Sequence, residues 1–302
     1  MKDLLTISDL SSEEIYALLD LARKIKADPD RFRSRLTHKT LALLFQKTST
    51  RTRLSFESGM FQLGGRAIYL DWRTTNIHLG SLPDEIRCIE LYVDAILARV
   101  YEHKSLEIMR EAASIPIING LSNKFHPCQV LSDLLTMKEI FQDFDSLNVA
   151  WVGDGNNVCN SLILGCAQLN IPIHVATPPG YEPHKDVIEW VKSHNKSQYL
   201  KISQDLKSAV KESDIIYTDT FVSMGQEDET QERMKIFQSF QVNHQLITES
   251  TKDPYIMHCL PAHRGIEITD DVLDSEKSVV FQQAENRLHM QKAILLTLLE
   301  TR

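Results

Sequence analysis

No stretch of this chain approaches the roughly 20 apolar residues that a membrane-spanning helix needs. The opening residues, MKDLLTISDL, lack the pattern of a signal peptide. The expectation is a protein without a membrane segment. Cysteine is scarce: Cys88, Cys128, Cys159, Cys166 and Cys259 are odd in number, scattered, and never spaced C-x-x-C. That speaks against a disulfide framework and against a zinc site, and for a reducing compartment, most simply the cytoplasm. Positive charge is in deficit, with 33 Lys and Arg against 41 Asp and Glu and a formal net charge of −8. Nucleic-acid binders are more often basic, so no nucleic-acid partner is expected. A complete dinucleotide fingerprint is missing too. Gly153-Asp154-Gly155 follows an apolar run, but the branched Val158 occupies the third glycine position, which disfavours a nicotinamide cofactor. No short-period repeat or low-complexity tract is present.

What is there is a 302-residue chain with 42% apolar and 25% charged residues, the composition of an ordinary globular protein of two domains. Strands are predicted at 41–45, 66–70, 93–98 and 115–118. Helices are predicted from Ser11-Ser12 to about Ala27, after Thr52, around 104–113, and from Pro127 to about Phe141. Residues 71–84 read as an irregular loop and 119–126 as a turn. The alternation pauses at 142–146. It restarts with strands predicted at 147–152, 173–176, 215–218, 255–258 and 279–281, and with helices ending at Leu169 and covering 184–194 and 283–300. Such alternation builds parallel sheets flanked by helices. The predicted fold is α/β, with domains over 1–143 and 144–283. The site is expected in the interdomain cleft, at the carboxyl ends of the strands.

Phe45-Gln46-Lys47-Thr48-Ser49-Thr50-Arg51-Thr52-Arg53 stands where a strand turns into a helix. A helix start offers unpaired N–H groups and a favourable dipole to an anion, and hydroxyl and guanidinium groups add directed bonds. Phosphate binding and a plain hydroxyl cap are evenly matched readings of this stretch taken alone. Arg99 closes a buried-looking strand, so its charge is either paired there or faces a cleft. His126-Pro127-Cys128-Gln129 opens a helix, with Pro127 at its first position, His126 at the cap and Gln129 in the first turn. The pair suits a polarised carbonyl or an amide, although a capping histidine alone is more often structural. Asn156 and Asn157 offer amide contacts to a polar ligand. Asp219 ends a predicted strand and suits an ammonium group; a solvated acidic loop is the alternative. Gly225, after Ser223 and Met224, permits a tight turn. His258-Cys259-Leu260-Pro261-Ala262-His263-Arg264-Gly265 is dense in reactive types. Cys259 reads as a nucleophile or as a small polarisable contact. Neighbours on a strand point opposite ways, so His258 and Cys259 pair poorly. A metal held by His258, Cys259 and His263 is the less favoured reading.

Together these motifs resemble the aspartate/ornithine carbamoyltransferase family, and within it the ornithine-specific branch. The similarity covers essentially the whole chain. Ser49-Thr50-Arg51-Thr52-Arg53 looks like the family's carbamoyl-phosphate signature, and His126 to Gln129 and His258 to Gly265 match its other hallmark motifs. Asp219 with Ser223-Met224-Gly225 resembles its ornithine-recognition loop. The resemblance implies that Ser49, Thr50, Arg51 and Thr52 hold phosphate. It implies that Arg99, His126, Gln129 and Arg287 complete the carbamoyl-phosphate site, with Cys259 and Leu260 lining it. Asn157, Asp219, Ser223 and Met224 would hold L-ornithine. Arg51, Arg99, His126, Cys259 and Asp219 would serve the chemistry, with no metal and no cofactor.

The implied reaction carries the carbamoyl group of carbamoyl phosphate to the δ-amine of L-ornithine, giving L-citrulline and phosphate. A first domain would bind carbamoyl phosphate, with the last helix, 284–302, packing back on it, and a second would bind the amino acid. A homotrimer or a multiple of trimers is implied, with sites completed by a neighbouring subunit through Asn76 or His78. Two departures stand out. Phe221 occupies a position where family members commonly carry Trp. The 71–84 loop matches in Ile77-His78-Leu79-Gly80, is then shortened, and reads Asp84-Glu85-Ile86. The rival readings are a putrescine or modified-ornithine acceptor, a dehydrogenase, and a non-catalytic relative.

Overall fold

In the computed structural model, which describes residues 1–222 and 227–300, four apolar runs align into a parallel sheet. They are β1 (Thr40–Phe45), β2 (Arg66–Asp71), β3 (Ala95–Arg99) and β4 (Ile117–Leu121), ordered β2-β1-β3-β4. β1 is buried along its whole length, and a continuous apolar run is what a central parallel strand covered on both faces requires. The crossovers are helical: α1 (Ser12–Ala27) precedes β1, and α2 (Thr50–Gln62), α3 (Leu82–Ile89), α4 (His103–Ala112) and α5 (Pro127–Phe141) follow. α1 shows why its sequence starts a helix at Ser12. The Ser11 hydroxyl accepts from the Glu14 N–H at 3.2 Å, and the Glu14 carboxylate accepts from the Ser11 N–H at 3.0 Å.

A second parallel sheet is built from β5 (Val149–Val152), β6 (Ile173–Ala176), β7 (Leu200–Ser203), β8 (Ile215–Thr218) and β9 (Tyr255–His258), ordered β7-β6-β5-β8-β9. Its helices are α6 (Asn157–Gln168), α7 (Lys185–Ser193), α8 (Leu206–Val210), α9 (Thr230–Phe237), α10 (His244–Ile247) and α11 (Asp270–Leu273). Ala150, Val152, Ile216, Phe221, Phe237 and Phe240 belong to its buried core. The final helix is α12 (Val280–Leu299). The chain divides into one unit of Met1–Leu135 with everything from Glu285 onward, and a second unit of Thr136–Ala284. In the first unit α12 lies against α2. Lys292 donates to the Gln62 amide at 3.0 Å, and a Cβ at Gly59 would sit 3.4 Å from the Lys292 stem. Among the described residues no helix is long and apolar enough to cross a membrane.

Several expectations about local structure need correcting. Residues 279–281 are not a strand. Val280 begins α12, and beside it only Ser278 makes a single bridge, to Ile256. Phe281 is 72% exposed, so that short apolar run belongs to a helix with one wet face, a case that periodicity over three residues does not resolve. The 71–84 stretch is not wholly irregular. It holds two single 3-10 turns, Trp72–Thr74 and Asn76–His78, and α3 begins at Leu82. β4 continues through Asn119 to Leu121, beyond the predicted end. The sequence pattern predicts none of the short, polar β7, α8, α9, α10 and α11, because little apolar periodicity marks them.

Candidate active site

In the first unit the carboxyl ends of β1 and β3 and the starts of α2 and α5 carry the expected anion-binding groups. Ser49 is the N-cap of α2, its hydroxyl accepting from the Thr52 N–H at 3.4 Å. The hydroxyl therefore serves the cap, and the remaining N–H groups of the first turn, with Thr50 exposed among them, form the anion-seeking end. Arg51 is half-buried and its side chain makes no hydrogen bond or ion pair among the described residues. Arg53 is accounted for differently: it pairs with Glu57 at 3.0 Å and lies 3.9 Å from the Tyr69 ring centroid. Arg99 ends β3 where the register to β4 slips between Ala98 and Arg99, and such an irregularity re-aims a side chain.

His126 is 5% exposed, and its carbonyl accepts from the Gln129 N–H at 3.1 Å as α5 begins. Burial first, then the charges of Arg287, Arg99 and Arg51, hold its imidazole well below the usual range. Burial and these three positive charges thus favour the neutral form of the ring. Arg287, on α12, donates to the Gln129 amide oxygen at 2.5 Å and to the Thr52 hydroxyl at 3.1 Å. The Gln129 amide nitrogen donates to the fully buried Asp133 at 2.8 Å. Thr52, Gln129 and Arg287 thus form one network, next to His126, from stretches far apart in sequence. Asn76 and His78 are exposed on their 3-10 turn, with no side-chain bond to this network among the described residues. Cys128, inside the His-Pro-Cys-Gln motif, is fully buried, and burial pushes its thiol up to about 12. It is a packing residue.

In the second unit the loops after β5, β8 and β9 converge on Asp219, which is 7% exposed. One carboxylate oxygen accepts from the Thr220 N–H at 2.8 Å and from the Cys259 thiol at 3.0 Å, and the other from the Asn156 amide at 2.8 Å. Asn156 also caps α6, accepting from Val158 and Cys159 N–H groups. Its amide is committed to the structure, and Asn157 stands half-buried at the first turn of α6. Gly155 is required because a Cβ there would lie 2.4 Å from Glu182 and Pro183 backbone atoms. Gly155 therefore serves loop packing, and Gly153 adopts φ +133, a conformation that favours glycine. Ser223 and Met224 lie outside the described residues.

A hydrogen-bond network surrounds Cys259 and its motif. His258 is fully buried; its Nδ1 accepts from the Leu260 N–H at 2.9 Å and its Nε2 faces the Glu267 carboxylate at 3.1 Å. That fixes the proton on Nε2. Glu267, also fully buried, accepts from the His263 N–H at 2.6 Å. The network holds Leu260 at φ +57, a conformation that side chains rarely adopt and that clusters at functional sites. Asp219, His258 and Cys259 place one ligand-type atom each within 4.8 Å of one another. Both His258 nitrogens are engaged, however, and the thiol donates to Asp219, so the cluster reads as a hydrogen-bonded corner. His263 faces the Thr220 hydroxyl at 3.2 Å.

Sequence reasoning missed Asp133, Arg233, Glu267 and Gln283. Arg233 is 2% exposed on α9, pairs with Asp154, donates to the Phe221 carbonyl at 2.7 Å, and lies over the Tyr181 and Phe237 rings. Gln283 accepts from the His258 N–H at 3.0 Å and donates to the Tyr217 hydroxyl at 2.9 Å. Four-residue spacings, Gln129 to Asp133 and Glu229 to Arg233, were the available signal.

Comparison with known proteins matches both units. The family model described as the carbamoyl-P binding domain of aspartate/ornithine carbamoyltransferase covers residues 2–139, and its Asp/Orn binding domain counterpart covers 145–298. A relative named ornithine carbamoyltransferase, from Archaeoglobus fulgidus, is 47% identical over 304 residues, spanning 99% of this chain and 98% of that one. One of the same name from Bacillus subtilis is 46% identical, spanning 99% and 94%. The solved ornithine carbamoyltransferase of Pyrococcus furiosus superimposes with a TM-score of 0.93 at 46% identity, covering 99% of this chain and 97% of the other.

Proposed function

The chain belongs to the aspartate/ornithine carbamoyltransferase family, and on that premise we propose that it transfers the carbamoyl group of carbamoyl phosphate to the δ-amine of L-ornithine, releasing L-citrulline and phosphate. The observation that carries this reading is the grouping of Arg51, Arg99 and Arg287 around a neutral, buried His126 at the starts of two helices. Guanidinium forks and helix N–H groups suit the phosphoryl oxygens. A neutral imidazole can donate to the carbamoyl oxygen without adding a fourth charge. The second unit supplies the complementary chemistry. Asp219, held by Asn156 and Cys259, suits the amine, and Asn157 suits the amino-acid end of ornithine.

The δ-ammonium must give up a proton before its nitrogen attacks the carbonyl carbon. A tetrahedral intermediate then forms, and phosphate leaves. No covalent enzyme intermediate is required, and acceleration comes from positioning and from donors aimed at developing negative charge. The unit with α12's Arg287 is assigned to carbamoyl phosphate and the other to ornithine, and Leu260 to the lining of the site. A homotrimer or multiple of trimers, with Asn76 or His78 reaching a neighbour, completes the proposal, as does a cytoplasmic location supported by the free cysteines.

The test is product formation with carbamoyl phosphate and a panel of ornithine, putrescine, N-acetylornithine and aspartate. Citrulline with ornithine is expected to dominate; no phosphate release with any acceptor refutes the transferase reading. Arg51→Ala is expected to lose roughly a hundredfold to a thousandfold in rate and most carbamoyl-phosphate binding, with an unchanged far-UV circular dichroism spectrum. Unaltered affinity removes Arg51 from the site.

A further inference from the structure

Gln291 lies one turn beyond Arg287 on α12 and is fully buried. No sequence motif singled it out. With its amide turned to satisfy its neighbours, its oxygen accepts from both Nε and Nη2 of Arg287, each at 3.1 Å. Its nitrogen donates to the Ser55 hydroxyl at 2.5 Å. Ser55 sits one turn beyond Arg51 on α2, and its hydroxyl donates to the Arg51 carbonyl at 2.5 Å. One path of bonds runs from guanidinium to amide, amide to hydroxyl, and hydroxyl to the peptide of Arg51; the Ser55 hydroxyl also lies 3.2 Å from the Gln291 oxygen and 3.2 Å from the Thr52 carbonyl. Gln291 and Ser55 each use a donor and an acceptor, the arrangement in which buried polar chains reinforce one another.

This chain ties the plane of one arginine to the backbone of another. A guanidinium recognises a phosphoryl group only when its fork is correctly oriented. Thr52 and Gln129 hold Arg287 at Nη2 and Nη1, and the two-point contact with Gln291 fixes the remaining rotation about the guanidinium stem.

We propose that Gln291 is a positioning residue for the phosphate-binding half of the site, setting the plane of Arg287 relative to the first turn of α2. The proposal rests on the carbamoyl-phosphate reading of that half-site. Gln291→Met keeps the side-chain volume and removes the amide. Ser55→Ala cuts the chain at the next link and leaves the Arg287–Gln291 contact.

The expected result is a KM for carbamoyl phosphate raised about tenfold in Gln291→Met and about threefold in Ser55→Ala, with the KM for L-ornithine changed less than twofold. Calorimetric titration of the protein with inorganic phosphate alone should show the same ranking of weakened affinity. Phosphate affinity and KM within twofold of the unmodified protein in either folded variant overturn the proposal. So does a parallel rise in both KM values, the signature of general loosening. Should Gln291→Met not fold, Ser55→Ala decides by the same criteria. An unmodified protein that binds phosphate but transfers nothing refutes the transferase reading, while the titrations still decide the role of Gln291. If it binds no phosphate either, both fall.

Discussion

Replacing Arg233 by Met should cost more stability as the pH rises, and the reason lies in its partner. Burial, the largest influence, pushes the Asp154 carboxyl up to about 6 even with the Arg233 guanidinium opposing it. Without Arg233 the carboxyl of the variant must titrate higher still. In both proteins the folded-state pKa lies above the unfolded value, so ionisation lowers stability as pH climbs from the unfolded to the folded pKa. For the unmodified protein that loss is complete just above pH 6; for Arg233→Met it continues. Below pH 6 the gap reflects the bond to the Phe221 carbonyl, the pair with Glu229 and the lost packing on Tyr181 and Phe237, about 1–3 kcal/mol. Above pH 6 each further unit adds up to about 1.4 kcal/mol until Asp154 of the variant ionises. At pH 8 the total should reach about 3–5 kcal/mol, the usual cost of breaking a buried pair from one side. Urea unfolding followed by far-UV circular dichroism at pH 5.5, 6.5 and 7.5 measures the gap. Asp154→Asn in the Arg233→Met background should abolish its pH dependence. A pH-independent gap, or a slope that survives in the double variant, refutes the reasoning.

Two further outcomes follow from the burial of His126 and of the cysteines. His126 is held below its unfolded value in the fold, so unfolding takes up a proton below about pH 6.5, and stability is lost as the pH falls through that value. The urea midpoint should therefore drop less between pH 7.5 and 5.5 in His126→Gln than in the unmodified protein; equal drops would show that His126 is already charged in the fold. Under native conditions a maleimide should label exposed Cys88 and half-exposed Cys259, leaving Cys128, Cys159 and Cys166 unlabelled until urea is added. Mass spectrometry of the labelled peptides reads this directly, and early modification of Cys128 would contradict its burial.

Much of the architecture was readable in advance where apolar pattern is strong. β1, α1, α5 and the parallel alternation follow from continuous or 3.6-spaced apolar runs. The pattern failed where burial is weak or partial: β7, α8 and α9 are short and polar, and the start of α12 was read as a strand because Phe281 is apolar yet exposed. At the candidate site, the helix-start and strand-end placements of Ser49, Arg51, His126, Asp219 and Cys259 were legible from local motifs. Their supporting groups were not. A buried Asp133, Glu267 or Arg233 has the same letter in the sequence as one on the surface, and only its partner distinguishes the two.

By itself the sequence determined the helix start at Ser49 to Thr52, the helix opened by Pro127 after His126, and the absence of a complete dinucleotide fingerprint. Each of these depends on neighbours within a few residues, where backbone geometry couples directly to residue type. The tertiary structure decided which of those groups act together. It set Arg287 on Thr52 and Gln129, drew the Cys259 thiol to Asp219, and committed the Asn156 amide to that same carboxylate. Those pairings depend on sheet order and helix packing over long sequence separations, and a hydrogen bond of about 3 Å is made or missed by displacements that no local pattern specifies.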